Sequence, residues 1–424
     1  MKRILPVVLI IILAVSLASK ATAAGKFETL FDFTLQSDGC YPEGQLIYDS
    51  SGNLYGTTYQ CGVGNGASGT VFELTPNGSG GWTESVLYTF TGEDGSGPTG
   101  PLTLDSAGNI YGTLLLAGEA NGGGVYELLP DGEGGWGEHS LYAFCSLSKC
   151  ADGSNPYSGV IFDQQGNLYG TTADGGGVEN DTCPTGCGTV FKLTPNGSGG
   201  WTESVVYSFK GKGDGAGPDG LIFDQAGSLY GTAGGGGRPT TNGTVFKLSP
   251  NENGSWTFTT LYKFCRLEDC RDGSGPAAGV IFDSAGNLYG TTRGGGAYGN
   301  YQDGVVFELS PTASGPWNEK VIHQFTGRDD GASPYAGVTF DSAGNLYGAT
   351  IQGGSDNCYF GCGAVFKLVR GSNGVWHEAT IHDFGGYSSS NPKAGLVFNG
   401  SVLFGTASSA SEGHGYGEVF EVIP

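Results

Sequence analysis

Short runs in which apolar and polar residues alternate recur along nearly the whole chain, each closed off by Gly, Asn, Asp or Pro. A period of two bounded by turn residues predicts β-strands joined by hairpins. Residues 279–292, Gly-Val-Ile-Phe-Asp-Ser-Ala-Gly-Asn-Leu-Tyr-Gly-Thr-Thr, typify the pattern. An apolar run (279–283) ends in Asp, a turn follows in which Gly and Asn tolerate positive φ, and a second strand covers 288–292. A Gly-rich loop then leads to a third strand, as at 188–195, and an Asn-Gly-Ser-Gly-Gly turn to a fourth, as at 201–209.

The unit repeats. Its central aromatic falls at Tyr55, Tyr111, Tyr169, Tyr230, Tyr289, Tyr347 and Phe404, with successive gaps of 56, 58, 61, 59, 58 and 57 residues. Four antiparallel strands in such a length make one propeller blade, whose two apolar faces only neighbouring blades can cover. The expected fold is therefore all-β, a seven-bladed β-propeller filling residues 24–424 as a single domain. A β-helix, with shorter coils, and an open array of sheets are the rivals. The array leaves one observation unexplained: the seventh unit stops at Pro424 with three strands, while residues 27–33, Phe-Glu-Thr-Leu-Phe-Asp-Phe, match the missing fourth. The N-terminal strand is expected to complete the last blade and close the ring, since an open ring would leave a raw strand edge.

These tandem Asp-x-x-Gly-Asn-Leu-Tyr-Gly-Thr-Thr…Gly-Thr-Val-Phe-x-Leu units resemble the GloVer-type repeat proteins of bacteria. The resemblance spans about residues 27–423 and implies an extracellular location and a propeller-like repeat. It implies no reaction, because the family is defined by its repeat.

Composition fits that picture. Gly accounts for 81 of 424 residues, without the every-third spacing of collagen, and 21 Tyr, 23 Phe and 6 Trp supply the apolar surface of a packed core. Residues 1–23 have the three parts of a cleavable signal peptide: Lys2 and Arg3, an apolar stretch from Ile4 to Ala18, and the small residues Ala21-Thr22-Ala23. Secretion to the periplasm or beyond is the expectation, with no membrane-spanning segment in the mature chain. Formal charge is −22, and loss of Lys2, Arg3 and Lys20 takes it to −25. Such a surface repels nucleic acid and anionic lipid, so neither is an expected partner.

Ten cysteines in an exported chain suggest five disulfides. Repetition proposes the pairing: Cys265/Cys270 and Cys358/Cys362 have no other cysteine in their blades, which gives those two links together with Cys145–Cys150, Cys183–Cys187 and Cys40–Cys61. Zinc ligation by the same pairs is the rival. All ten fall on the face carrying the loops after the second strand and between blades.

The same face carries Asp38, Asp94, Asp152, Asp214, Asp272 and Asp330, each four residues before a proline, with Ser388 in the seventh blade. As a ring they would attract Ca²⁺; as turn residues they would accept local backbone N–H bonds. The residue after each of those prolines varies: Glu43, Thr99, Tyr157, Asp219, Ala277, Tyr335, Lys393. Glu43, Tyr157, Asp219, Tyr335 and Lys393 are the candidate ligand-binding residues, because tyrosine beside carboxylate can stack on and hydrogen-bond a sugar. Ordinary loop diversity is the alternative.

Catalytic signatures are sparse. No Gly-x-Ser-x-Gly elbow, His-Glu-x-x-His or phosphate-binding Gly-rich loop occurs, and four of five histidines, His139, His323, His377 and His382, fall in outer strands. Only His414 falls in a loop of the candidate face. The Asn-Gly-Ser at 77–79 and 196–198 reads as hairpin turn chemistry ahead of glycosylation. The sequence thus favours a monomeric, non-enzymatic scaffold that binds a glycan or other cell-surface component without a cofactor. A polysaccharide lyase or hydrolase using carboxylates at the channel mouth is the second reading, and a structural envelope component the third.

Overall fold

A computed structural model describes residues 25–424 apart from 65–66, 182, 236–241, 297–302, 314, 355–357, 359–360, 386–389 and 410–414. The expected signal segment, Ser388 and His414 lie outside the described residues. Seven antiparallel sheets form the ring, each with its strands in meander order. In the fourth blade the strands are Ala216–Phe223, Leu229–Gly235, Thr244–Pro250 and Trp256–Lys263. The seventh takes Val397–Asn399, Val402–Ala407 and Glu418–Ile423 from the C-terminus and Lys26–Asp32 from the N-terminus. Lys26 pairs with Ile423 and Asp32 with Glu418, which is the expected closure.

The repeat motif has a mechanical explanation. In the first turn of the fifth blade, Asp283 Oδ1 accepts the N–H groups of Ala285 (2.9 Å) and Asn287 (2.8 Å), while Oδ2 takes Asn287 Nδ2 and the Tyr289 hydroxyl. One carboxylate thereby fixes the turn and aims the tyrosine into the blade junction. The glycine after that tyrosine is needed because an aromatic ring of the third strand lies over it. A Cβ on Gly170 would stand 2.5 Å from Phe191, and one on Gly348 equally close to Phe366.

Each junction is sealed by an aromatic pair. The phenylalanine that follows the fourth strand meets, edge-on or tilted, a third-strand ring of the next blade: Phe33–Phe72, Phe90–Tyr126, Phe144–Phe191, Phe209–Phe246, Phe264–Phe307, Phe325–Phe366 and Phe384–Phe420, all with centroids 4.8–5.3 Å apart. The junction made by the two chain ends is built like the others. Among the described residues no helix is long and apolar enough to cross a membrane.

Outside the fourth blade, whose innermost strand runs Ala216–Phe223, the innermost strands are shorter than the sequence pattern suggests. In the fifth blade only Ile281–Phe282 is paired, and in the second blade the strand splits into Ser96–Pro98 and Thr103–Leu104. The inner backbone of one blade packs on that of its neighbour: a Cβ on Gly100 would lie 2.5 Å from the Gly159 nitrogen, and one on Gly220, at a bulge of its strand, 2.6 Å from the Gly279 Cα. Glycine lets adjacent inner edges touch through bare backbone, which draws the ring tight around its axis.

Candidate functional site: the loop-bearing mouth

All five expected disulfides are present, Cys40–Cys61, Cys145–Cys150, Cys183–Cys187, Cys265–Cys270 and Cys358–Cys362, and among the described residues no cysteine is free. They brace the loops of one face. The repeated aspartates on that face are spent locally. Asp38 accepts from the Thr34 amide and hydroxyl and the Gln36 amide; Asp152, fully buried, accepts from Ser146, Leu147 and the Tyr142 hydroxyl; Asp272, also fully buried, accepts from Arg266, Leu267 and the Tyr262 hydroxyl. No group of three or more His, Cys, Asp or Glu side chains among the described residues is placed to hold a metal ion.

A feature that sequence reasoning missed adjoins these aspartates. At four junctions the residue two after the tryptophan of the fourth strand, Glu84, Glu138, Glu203 or Glu319, comes close to the aspartate of the preceding loop. Burial, with Asp38, Asp152 or Asp272 beside them, pushes Glu84, Glu203 and Glu319 up to about 7. At the corresponding register in the fourth and seventh blades stand Phe258 and Phe27, opposite Leu248 and Val422 as Glu84 is opposite Leu74. Phe258 stacks on Tyr207 (4.3 Å, 13°) and Phe27 on His382 (3.8 Å, 7°). Burial lowers the His382 imidazole to about 4.

The variable positions each follow a proline in a special backbone setting. A left-handed residue precedes the proline in every blade: Tyr41, Gly97, Asn155, Gly217, Gly275, Ser333 and Asn391, with φ between 54 and 66°. Six of the seven are Gly, Asn or Ser; Tyr41 is the exception, a bulky side chain where αL costs about 1–2 kcal/mol.

Of the candidate residues, Lys393 and Glu43 pair across the seventh and first blades at 2.5 Å. Tyr157 and Tyr335 are 51% and 39% exposed, and Tyr157 lies within electrostatic reach of Tyr335, Tyr59 and Asp174. Asp174 is held by Asn155 (2.9 Å) and Thr185 (2.6 Å). Asp219, on the innermost strand of the fourth blade, is half-buried and joins neither group; burial raises its carboxyl to about 6. Among the described residues it has no ion pair. Tyr59, Tyr41 and Tyr416 were not singled out from sequence. Tyr41 and Tyr416 meet with centroids 6.3 Å apart, and the Tyr59 amide donates to the Tyr41 carbonyl. A signal existed, since Tyr59 stands just after Leu-Tyr-Gly-Thr-Thr, where other blades carry Leu115, Ala173, Gly234, Arg293, Ile351 and Ser408.

The lead-in strands differ in length, with a visible consequence. Blades one, two and four have one residue between proline and glycine, the others two. Thr113, Thr232 and Thr291 donate to Ser158, Ala278 and Ala336 carbonyls of the longer lead-ins. The equivalent Thr57 and Thr406 face shorter ones, and their buried hydroxyls have no partner.

Comparison with solved structures finds the same fold at low identity. Virginiamycin B lyase from Staphylococcus aureus superposes with a TM-score of 0.57 at 16% identity, covering 94% of this chain and 99% of that one. PorZ, a bacterial surface component of the type-IX secretion system of Porphyromonas gingivalis, gives 0.54 at 15% identity, over 93% of this chain and 48% of its own. Comparison with curated proteins finds no match. The sequence matches the model of the Gloeobacter/Verrucomicrobia repeat over residues 17–184 and 177–420, in agreement with the resemblance drawn from the repeated motif. With the repeat accounted for across both halves of the ring, the chain belongs to the Gloeobacter/Verrucomicrobia repeat family.

Proposed function

We propose that this propeller is an exported, monomeric binding scaffold whose mouth takes a glycan, either free or on a cell surface. The observation that supports the reading is the proximity of Tyr157 to Tyr335 and Tyr59, with Tyr157 and Tyr335 well exposed, on a framework whose repeated carboxylates are engaged in turns. Exposed rings with a hydroxyl at the tip stack on the apolar face of a sugar and bond its hydroxyls. The tight, glycine-lined inner edges favour a ligand lying across the rim. Five disulfides support an oxidising compartment, as export requires.

A second reading has its own support: a carboxyl raised to about 6, as in Asp219, suits a general acid or base, which keeps a lyase or hydrolase in view. A glycan array combined with a product assay on the bound polysaccharides tests both. Binding with intact polymer is expected. New reducing ends or unsaturated products abolished by Asp219→Asn would replace the scaffold with an enzyme, and no glycan binding at all would remove the proposal.

A further inference from the structure

We propose that Asn77 and Asn196 are modification sites, at which water spontaneously deamidates the asparagine to an aspartate that the hairpin is already built to hold.

Four of the chain's eight Asn-Gly pairs stand in turns between a third and a fourth strand: Asn77-Gly78, Asn196-Gly197, Asn253-Gly254 and Asn373-Gly374. The reaction needs the backbone nitrogen of the glycine. It attacks the side-chain Cγ, the Cγ–Nδ2 bond breaks, and the displaced amide nitrogen leaves as ammonia with the proton of the glycine N–H. The succinimide so formed takes up one water and opens at one carbonyl to aspartate, at the other to isoaspartate. Glycine, having no Cβ, leaves its nitrogen open to that approach.

The four turns differ in whether this nitrogen is in use. The Gly254 amide donates to the Asn251 carbonyl (3.0 Å) and the Gly374 amide to the Gly371 carbonyl (2.9 Å), whereas among the described residues the Gly78 and Gly197 amides meet no acceptor. Local sequence does not explain the difference, because Asn77, Asn196 and Asn253 all head the same triplet, Asn-Gly-Ser. All three asparagines are exposed, so water reaches each of them.

The second blade displays the product. Its turn reads Asp131-Gly132-Glu133-Gly134-Gly135 where the first reads Asn77-Gly78-Ser79-Gly80-Gly81. The first residue of each donates its amide to the carbonyl of the fifth at 2.9 Å, and the glycine that follows has φ of 78° in one and 71° in the other. Asn77 Oδ1 accepts the Ser79 and Gly81 amides at 3.1 Å, and Asn196 Oδ1 those of Ser198 and Gly200 at the same distance; Asp131 Oδ1 accepts the two equivalent amides at 2.8 Å. A carboxylate is the stronger acceptor for the same donors, so the aspartate form keeps the turn.

The test is peptide mapping by mass spectrometry of the full-length protein held folded in mildly alkaline buffer. Asn77 and Asn196 are expected to convert at matching rates, about tenfold faster than Asn253 and Asn373, the factor for one net hydrogen bond that must first open. In the reduced, urea-unfolded chain the three Asn-Gly-Ser sites should converge on one rate. The double variant Asn77→Asp, Asn196→Asp should melt with the wild type. No conversion at Asn77 and Asn196, or conversion of Asn253 as fast as theirs in the folded protein, overturns the inference. A rate order that persists in urea takes it out of the structure, and a clear loss of Tm in the double variant would show that the turn does not hold the product.

Discussion

Two kinds of blade junction hold this ring together, and they fill one slot with opposite chemistry. At four junctions the slot holds a glutamate close to the aspartate of the preceding loop, and Glu378 stands at the same register in the sixth blade; at two it holds Phe258 or Phe27, stacked flat on Tyr207 or His382. In the acidic version burial and a neighbouring aspartate favour the protonated glutamate, whereas the aromatic version needs no proton. The difference teaches that the repeat fixes the geometry of the slot and leaves its occupant free. Junctions of identical backbone can therefore respond differently to pH.

The strongest way to break an aromatic junction is to remove the strand that supplies it. Deletion of residues 25–34 takes away Phe27 and with it Phe33, 3% exposed, and the partly buried Leu30 and Phe31. Full burial of such a side chain is worth about 1.5–3 kcal/mol, so the sum rivals the net stability of a domain. The deleted protein should aggregate or lose tens of degrees in Tm by scanning calorimetry, and grafting the segment after Pro424 through a short Gly-Ser linker should restore folding. A monomeric deletion with unchanged Tm would disprove this closure.

Next in size, Phe258→Ala should cost about 2–4 kcal/mol in urea unfolding, since the ring touches Tyr207, Phe209 and Phe246 together. Glu203→Ala, at the same register, should cost clearly less. Equal losses would show that the two junctions are energetically alike.

The pH dependence sharpens the contrast. Glu84, Glu203 and Glu319 have folded-state pKa values raised to about 7, so the folded chain holds protons that the unfolded chain has released. Their stabilisation is complete below about 4.5 and is lost as pH rises through about 7. His382 acts in the other direction: lowered to about 4, it contributes above about 6.5 and loses that contribution as pH falls toward 4. Tm should thus decline from pH 5.5 toward about 8, and the triple variant Glu84→Gln, Glu203→Gln, Glu319→Gln should flatten that decline. A slope unchanged in the triple variant would remove the glutamates from the account.

Smallest in stability is the mouth. Tyr157→Ala with Tyr335→Ala should move unfolding free energy by no more than about 0.5 kcal/mol each, while abolishing glycan binding. Retained affinity for a demonstrated ligand would place the site elsewhere.

What could be read from sequence follows the same division. The seven blades, the closing strand and the disulfide pairs were legible because each is written in local spacing and then repeated. Tyr289 and its turn, Asp283 to Asn287, are one continuous motif. The Asp152–Glu203 contact was invisible because its members belong to different repeats and meet only when blades stack. Tyr59 and Tyr41 escaped for another reason: each departs from its repeat at a single position, and a departure has no pattern of its own. The inner strands came out too long because the apolar run before Asp283 was read as paired throughout, whereas Gly279 turns aside to meet Gly220.

The pairing of Lys26–Asp32 with Glu418–Ile423 also sets an order of events during synthesis. The first strand to emerge finds its partner only when the Glu418–Ile423 strand has appeared, so for most of translation it is an unsatisfied edge. Contacts of such sequence separation form slowly, because the loop must be closed before any of them is rewarded. The other blades can assemble one against the next from the N-terminal end, but the final latch waits for the C-terminus. A chain released before Glu418–Ile423 is made would be an open, sticky horseshoe, which makes emergence of that strand the checkpoint for solubility.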